Sequence, residues 1–178
     1  QGGIYDHLGG GFSRYSVDQR WLVPHFEKML YDNAELVEFL TLVWQDEKKP
    51  LYEQRVAETI EWPGREMTHP DGGFFSSLDA DSEHEEGKFY VWREEGIDRL
   101  LGPRAPLFKQ VYDGEPHGNW EEKTILNRLG STELMSEAEE ADLAADRAVL
   151  FHARAERIRP GLDDKILADW NGLMIAAL

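Results

Sequence analysis

The run from Trp21 to Trp44, WLVPHFEKMLYDNAELVEFLTLVW, limits the fold more than any other stretch. Phe26, Leu30, Asn33, Val37, Leu40 and Trp44 recur at helical spacing, and Met29, Leu36, Phe39 and Val43 widen that face until it is apolar almost all round. Such a helix belongs inside a structure. Pro24 suits a first helical position, where its missing N–H would be unpaired anyway, so a helix is expected over 25–45. Its first two turns would then carry His25, Glu27, Lys28, Tyr31, Asp32 and Asn33, with His25, Lys28 and Asp32 on one stripe. Spacing leaves two readings open. Glu27 with Tyr31 and Lys28 with Asp32 are i,i+4 pairs, each able to stabilise a helix by roughly 0.2–0.5 kcal/mol. The same residues also form a polar, titratable mouth on a buried helix, as a functional site requires.

The balance of charge narrows the partners. With 35 acidic and 19 basic side chains the 178-residue chain carries a formal charge of −16, which repels nucleic-acid phosphates and anionic membrane surfaces. No stretch approaches the roughly 18 apolar residues of a membrane span, and no signal-peptide pattern opens the chain. The expectation is a cytoplasmic protein that binds neither nucleic acid nor membrane. Cysteine is absent, so thiolate nucleophiles and Cys-based zinc sites are excluded from these residues. Gln1, the pair Gly2 and Gly3, and an end at Leu178 inside the apolar run GLMIAAL read as a piece of a longer chain.

Residues 1–20 hold five glycines together with Asp6, His7 and Arg14, and read as loop with short extended pieces. Gly9 to Gly11 lack the lysine and strand-to-helix context of a phosphate loop. A second helix is expected from about Leu51, antiparallel to the first, interrupted near Trp62 by Pro63 and Gly64. The period then changes: Phe74–Asp79 and Lys88–Trp92 read as the strands of an inserted β-hairpin around a long acidic turn. Asp79, Asp81 and Glu83 alternate like a calcium loop, but His84 stands at the sixth position and Tyr90 at the twelfth, so no metal is expected. Short helices follow at 94–101 and 107–112, then a strand-like TILNRL at 124–129. Ser136 and Glu139 make a capping box for a mostly surface helix over 137–158. Asp163 is placed as the N-cap of a last apolar helix, DDKILADWNGLMIAAL, whose polar start (Asp163, Asp164, Lys165, Asn171) repeats the plan of the first without a strict sequence repeat.

In this order GGIYDHLGGGFSRYSVDQRWLVPHFEKMLYDNA, DGGFFSSLDADSEHEEGKFYVW, GNWEEKTIL and RPGLDDKILADWNGLMIAAL resemble the YyaL-like thioredoxin-domain-containing proteins, relatives of the spermatogenesis-associated protein of animals. The blocks span more than half of the chain. The resemblance implies an N-terminal thioredoxin-like domain outside these residues and an α/α toroid of the six-hairpin glycosidase type, of which this chain is a mainly α fragment. It also implies that the starts of the inner helices line one cavity, with the hairpin over its mouth, and that the fold is similar to N-acylglucosamine 2-epimerases. Pro63 departs from an uninterrupted helix there.

Three functions follow as expectations. In a sugar epimerase or isomerase, His25 is the base, His7 a second acid or base, and Arg14 or Lys28 steadies an enolate. Trp21, Trp92, Trp120 and Trp170 offer an aromatic floor. A glycoside hydrolase would instead pair carboxylates drawn from Asp79, Asp81, Asp163, Asp164 and Glu121. A non-catalytic sugar- or protein-binding module partnering the thioredoxin-like domain would hold Arg14, Glu27, Asp32, Lys88 and Asp164 as a mutually neutralising hydrogen-bond network. The catalytic candidates are therefore His25, His7 and Asp164. The binding candidates are Arg14, Trp21, Lys28, Tyr31, Asp79, Asp81, Trp92, Trp120, Trp170 and Asn171. No cofactor is expected. The expected partner is a small sugar-like molecule, with self-association through exposed inner-helix faces.

Overall fold

A computed structural model describes residues 1–178. The chain is mainly helical, with small antiparallel sheets. The strands β1 (Tyr15–Ser16), β2 (Pro24–His25) and β3 (Lys28–Met29) precede helix α1 (Leu30–Glu47). The expected helix thus starts five residues later than Pro24 and His25 promised. Its first turns were claimed by other partners. Asp18 Oδ1 accepts the N–H groups of Leu22 and Val23, turning the chain so that Pro24 and His25 pair with Ser16 and Tyr15. Lys28 and Met29 are then drawn into a sheet with residues some 50 positions away. Long-range pairing here overrides local propensity.

From Leu30 onward the expectation holds. Leu30, Ala34 and Val37 are buried at helical spacing, and Lys48, in a left-handed conformation, closes the helix with its N–H on the Trp44 carbonyl. Only Lys48 and Lys49 separate α1 from α2 (Pro50–Glu66), so the two helices form an antiparallel hairpin. Pro50 occupies the first turn, where a missing N–H costs nothing. Pro63 does not stop α2. It stands in the final turn, where one ladder bond to Thr59 is forgone, and the Met67 N–H bonds to its carbonyl to complete the end.

The inserted β-structure differs from the expected hairpin. Strand β4 (Ser77–Leu78) pairs antiparallel with β3 on one side and with β7 (Leu162–Asp163) on the other. The acidic turn closes a tighter hairpin of its own, β5 (Asp81–Ser82) with β6 (Glu85–Glu86), through Glu83 and His84 at φ 54° and 62°. Two consecutive left-handed residues are what a two-residue hairpin turn demands. Residues 87–90 are turn, and TILNRL contributes a single bridge, Thr124 to Trp92.

Asp163 lies in β7 and does not cap a helix. The last helix, α6 (Ala168–Ala177), begins five residues later with Leu167 at its N-cap. Because β3 and β7 both run antiparallel to β4, they run parallel to each other, and α1 and α6 leave the sheet in the same direction. They pack around Leu30, Ala34 and Met174. The largest core lies elsewhere, among α3 (Glu94–Leu101), α4 (Ala105–Tyr112) and α5 (Glu137–Ala155), where Ile97, Leu101, Phe108, Leu143 and Leu150 are buried. At about 1.5–3 kcal/mol per buried large apolar side chain, this cluster anchors α5. The Ser136–Glu139 capping box is present, and α5 is the mostly surface helix expected, burying only Leu143, Asp146, Leu150 and Arg154 along one stripe. No helix is long and apolar enough to cross a membrane.

Candidate functional site

Consecutive residues at β3 point to opposite sides of the backbone, as extended chain requires. Lys28 turns inward. Its side chain is 2% exposed, and Nζ donates to Asp6 Oδ2 and the Gly10 carbonyl, each at 2.8 Å. Arg154 of α5 grips the same carboxylate with both Nη atoms at 2.8 Å, and the N–H groups of Leu8 and Gly9 complete it. Burial opposes the charge on Asp6, but Arg154 and then Lys28 outweigh it and hold the carboxyl far below the usual carboxylate range. Burial pulls the Lys28 ammonium below its ordinary value, and Asp6 pulls it back.

Glu27 turns the other way, into the open. Its Oε2 lies 3.2 Å from Arg14 Nη1 and 3.7 Å from His25 Nε2. His25 Nδ1 lies 2.7 Å from Glu86 Oε1 of the short hairpin, and its ring stacks on Tyr15 at 5.0 Å between centroids. Gly87, at φ 74°, has room for no side chain there: a Cβ would stand 2.4 Å from the Phe26 ring. The hairpin is thereby seated directly beside His25. Glu27 also lines an open groove of about 440 Å³ with Ser77, Asp79, Gly161, Leu162 and Asp163, at the edge of the β3–β4–β7 sheet. Asp32 follows on the first turn of α1. Burial raises its carboxyl to about 6, helped by Glu35 and Glu27 and opposed by Arg14, and its Oδ2 is buried without a partner. Tyr31 meets Trp170 of α6 edge to face at 4.7 Å. The site can therefore hold a proton on a nitrogen or an oxygen, present several carboxylates, and offer aromatic edges to a ligand.

Arg14, His25 and Asp79 of the expected set are thus brought together through Glu27, with Tyr31 and Trp170 as a neighbouring aromatic pair. Asp81 lies beside Asp79 and donates its backbone N–H to the Asp79 carboxylate. Asp164 is exposed, with no hydrogen bond. His7 is buried between Tyr5 and Tyr112, and its Nε2 faces the carbonyls of Gln1 and Gly2 at 3.2 Å. Burial, reinforced by Arg55, pushes it well below the ordinary histidine value, so it is a neutral core group. Lys28 belongs to the buried ion cluster. Trp21 is 58% exposed at φ 62°, and its carbonyl receives the Gly3 N–H. Trp120 packs on Phe26, and Trp92 is buried under the Arg157 guanidinium.

Asn171 has a structural duty that recurs. Its Oδ1 accepts the Phe74 N–H at 2.7 Å, and its Nδ2 donates to the carbonyls of Phe74 and Leu167, both at 3.0 Å. Asn33 does the same on α1: Oδ1 accepts the Phe12 N–H at 2.6 Å, and Nδ2 donates to Phe12 and Met29 at 3.0 and 2.8 Å. Each asparagine is the fourth residue of its helix, and each phenylalanine follows a pair of glycines. The likeness between the two helices is thus a repeated clamp. Glu86, Asp32 and Asp163 joined the site unassigned or assigned otherwise. The proximity of Glu86 to His25 spans 61 positions, and no local pattern carries it.

These features define a mainly helical protein in which two-residue strands set charged side chains at the starts of two parallel, packed helices. No protein-family model matches the chain. It is 36% identical to spermatogenesis-associated protein 20 of Homo sapiens over 98% of its own length and 26% of that protein's. The mouse protein of the same name is 35% identical over 98% of the chain. An uncharacterised protein of Caenorhabditis elegans is 36% identical over 99%. These homologues, aligned over nearly the whole chain, support the spermatogenesis-associated protein 20 family. The chain spans about a quarter of the length of these curated relatives.

Proposed function

We propose that this segment is part of an α/α toroid and forms one wall of a sugar-sized cavity, in which His25 moves a proton beside a carbonyl. The observation that carries the reading is the His25–Glu86 contact of 2.7 Å. A carboxylate on Nδ1 favours the tautomer with its proton there and leaves Nε2 free to act as base. Nε2 faces the Arg14–Glu27 pair, and Arg14 is the nearest cation for oxygen charge developing in an enolate. A single base can carry a proton between C2 and C1 of an open-chain sugar, as an aldose–ketose shift requires. Epimerisation at C2 needs a second donor on the other face, and His7 is withdrawn into the core.

The experiment is solvent-deuterium exchange at C2 of reducing sugars, followed by NMR with the full-length protein. Exchange should disappear in His25→Ala and fall in Glu86→Gln. Full exchange in His25→Ala would sink the assignment.

A second reading has its own support: Glu27, Asp79 and Asp163 line one groove, the raw material of two-carboxylate glycoside hydrolysis. Release of sugar from an aryl glycoside, abolished by Glu27→Gln and untouched by His25→Ala, would favour it over the first.

A further inference from the structure

On the face of the hairpin that carries Ser82, Glu83 and Glu85 lies a cavity of about 640 Å³, within the size range of small-molecule sites. Its electrostatics run against those of the chain. Lys88 is neutralised by Glu83 at 3.1 Å, and Lys123 is paired with Glu85. Arg93, Arg99 and Arg157 line the same cavity without any carboxylate partner, against one unpaired acid, Glu95. Three guanidiniums without a carboxylate lining one space, in a chain of formal charge −16, is an unusual concentration.

Arg157 is the best fixed of them. Its Nη1 donates to the carbonyls of Phe89 and Val91, both at 2.8 Å, and its guanidinium stacks 4.0 Å from the Trp92 ring centroid. Burial, with some help from Arg154, lowers it only to about 10, so it remains a cation at neutral pH. Trp92, also lining the cavity, is 4% exposed and keeps an indole N–H with no partner.

We propose that this cavity binds a small molecule through a dianionic phosphate group, held by Arg93, Arg99 and Arg157, with the body of the ligand against Trp92. Guanidinium forks pair with carboxylate and phosphate oxygens alike, and a dianionic phosphate offers three oxygens to several forks at once where a carboxylate offers two. The assignment is independent of what His25 does.

Isothermal titration calorimetry on the full-length protein provides the test, with glucose 6-phosphate, inorganic phosphate and succinate as probes. Saturable one-to-one binding of the monoester is expected, weakened by added salt and by at least about tenfold in Arg99→Glu and Arg157→Met. Arg99 is exposed and free of contacts, so its variant stays informative if Arg157→Met does not fold. Arg20→Glu, outside the cavity, should bind normally. Tighter binding of the monoester than of phosphate places the sugar body in the cavity, and equal binding identifies free phosphate as the ligand; both support the site. No saturable heat, binding unchanged in Arg99→Glu, or succinate bound as tightly as the monoester would overturn it.

Discussion

Glu27 and Lys28 are neighbours in sequence and opposites in circumstance. Lys28 ends in a sealed cluster where Asp6 meets two cations and two backbone N–H groups, leaving its oxygens fully occupied. Glu27 ends in an open groove among groups that are only partly matched: an arginine at 3.2 Å, a histidine at 3.7 Å, and further carboxylates. A buried carboxylate with both oxygens occupied has no valence left for a ligand, and its removal is felt by the fold. An unsaturated, accessible one contributes little to the fold and retains the capacity to bind. One peptide bond therefore separates a sealed ion cluster from an open one.

The contrast breaks most readily at Asp6. Asp6→Ala leaves Lys28 and Arg154 buried without their shared anion, and should destabilise the protein by about 3–5 kcal/mol in chemical denaturation. A loss under about 1 kcal/mol would mean that the cluster is wetter than its burial indicates. Next comes Asn33→Ala, which strips partners from the Phe12 N–H and from two carbonyls; a loss of about 1–3 kcal/mol is expected. Asn171→Ala, on a less buried residue, should cost less in the same assay.

Acid titration sharpens the comparison through two groups that act in opposite senses. His7 has a folded value well below 6.5, so its contribution is complete above that pH and is lost as pH falls below it. Asp32 has a folded value raised to about 6, so its contribution is complete below about 4 and is lost as pH rises from there to about 6. His7→Gln should flatten the acid-side fall in unfolding free energy, and Asp32→Asn should remove the fall between pH 4 and 6. Slopes identical to those of the unaltered protein would refute both. The smallest effect belongs to the open cluster: Glu27→Gln should change stability by roughly 0–1 kcal/mol while altering ligand binding or turnover. A large loss of stability there would move Glu27 to the structural side.

Helices were readable in the sequence wherever their signals were local. The start of α2 at Pro50, the helix at 94–101 and the capping box at Ser136 needed only neighbours within four residues. Of these paired strands only β4, inside the expected Phe74–Asp79, was readable; the others were not, because a two-residue strand has no period to detect and its partner lies 8 to 86 positions away. That failure moved the site as well. With β3 taken for helix, His25, Lys28 and Asp32 shared a stripe; as extended chain, Glu27 and Lys28 face opposite ways, and Glu27 emerges as the hub. His25 and Arg14 were singled out because their residue types are chemically distinctive. Glu86 was hidden by distance along the chain.

The asparagine clamps bear on why the likeness between the two helices shows so faintly in the letters. Each amide side chain offers one acceptor and one donor to the N–H and C=O of a single residue, just as a neighbouring strand would. It behaves as a one-residue strand grafted onto a helix. Such a device reads the main chain and is indifferent to the side chain it holds. Two segments may drift apart at nearly every position and still be joined to their helices by the same grip.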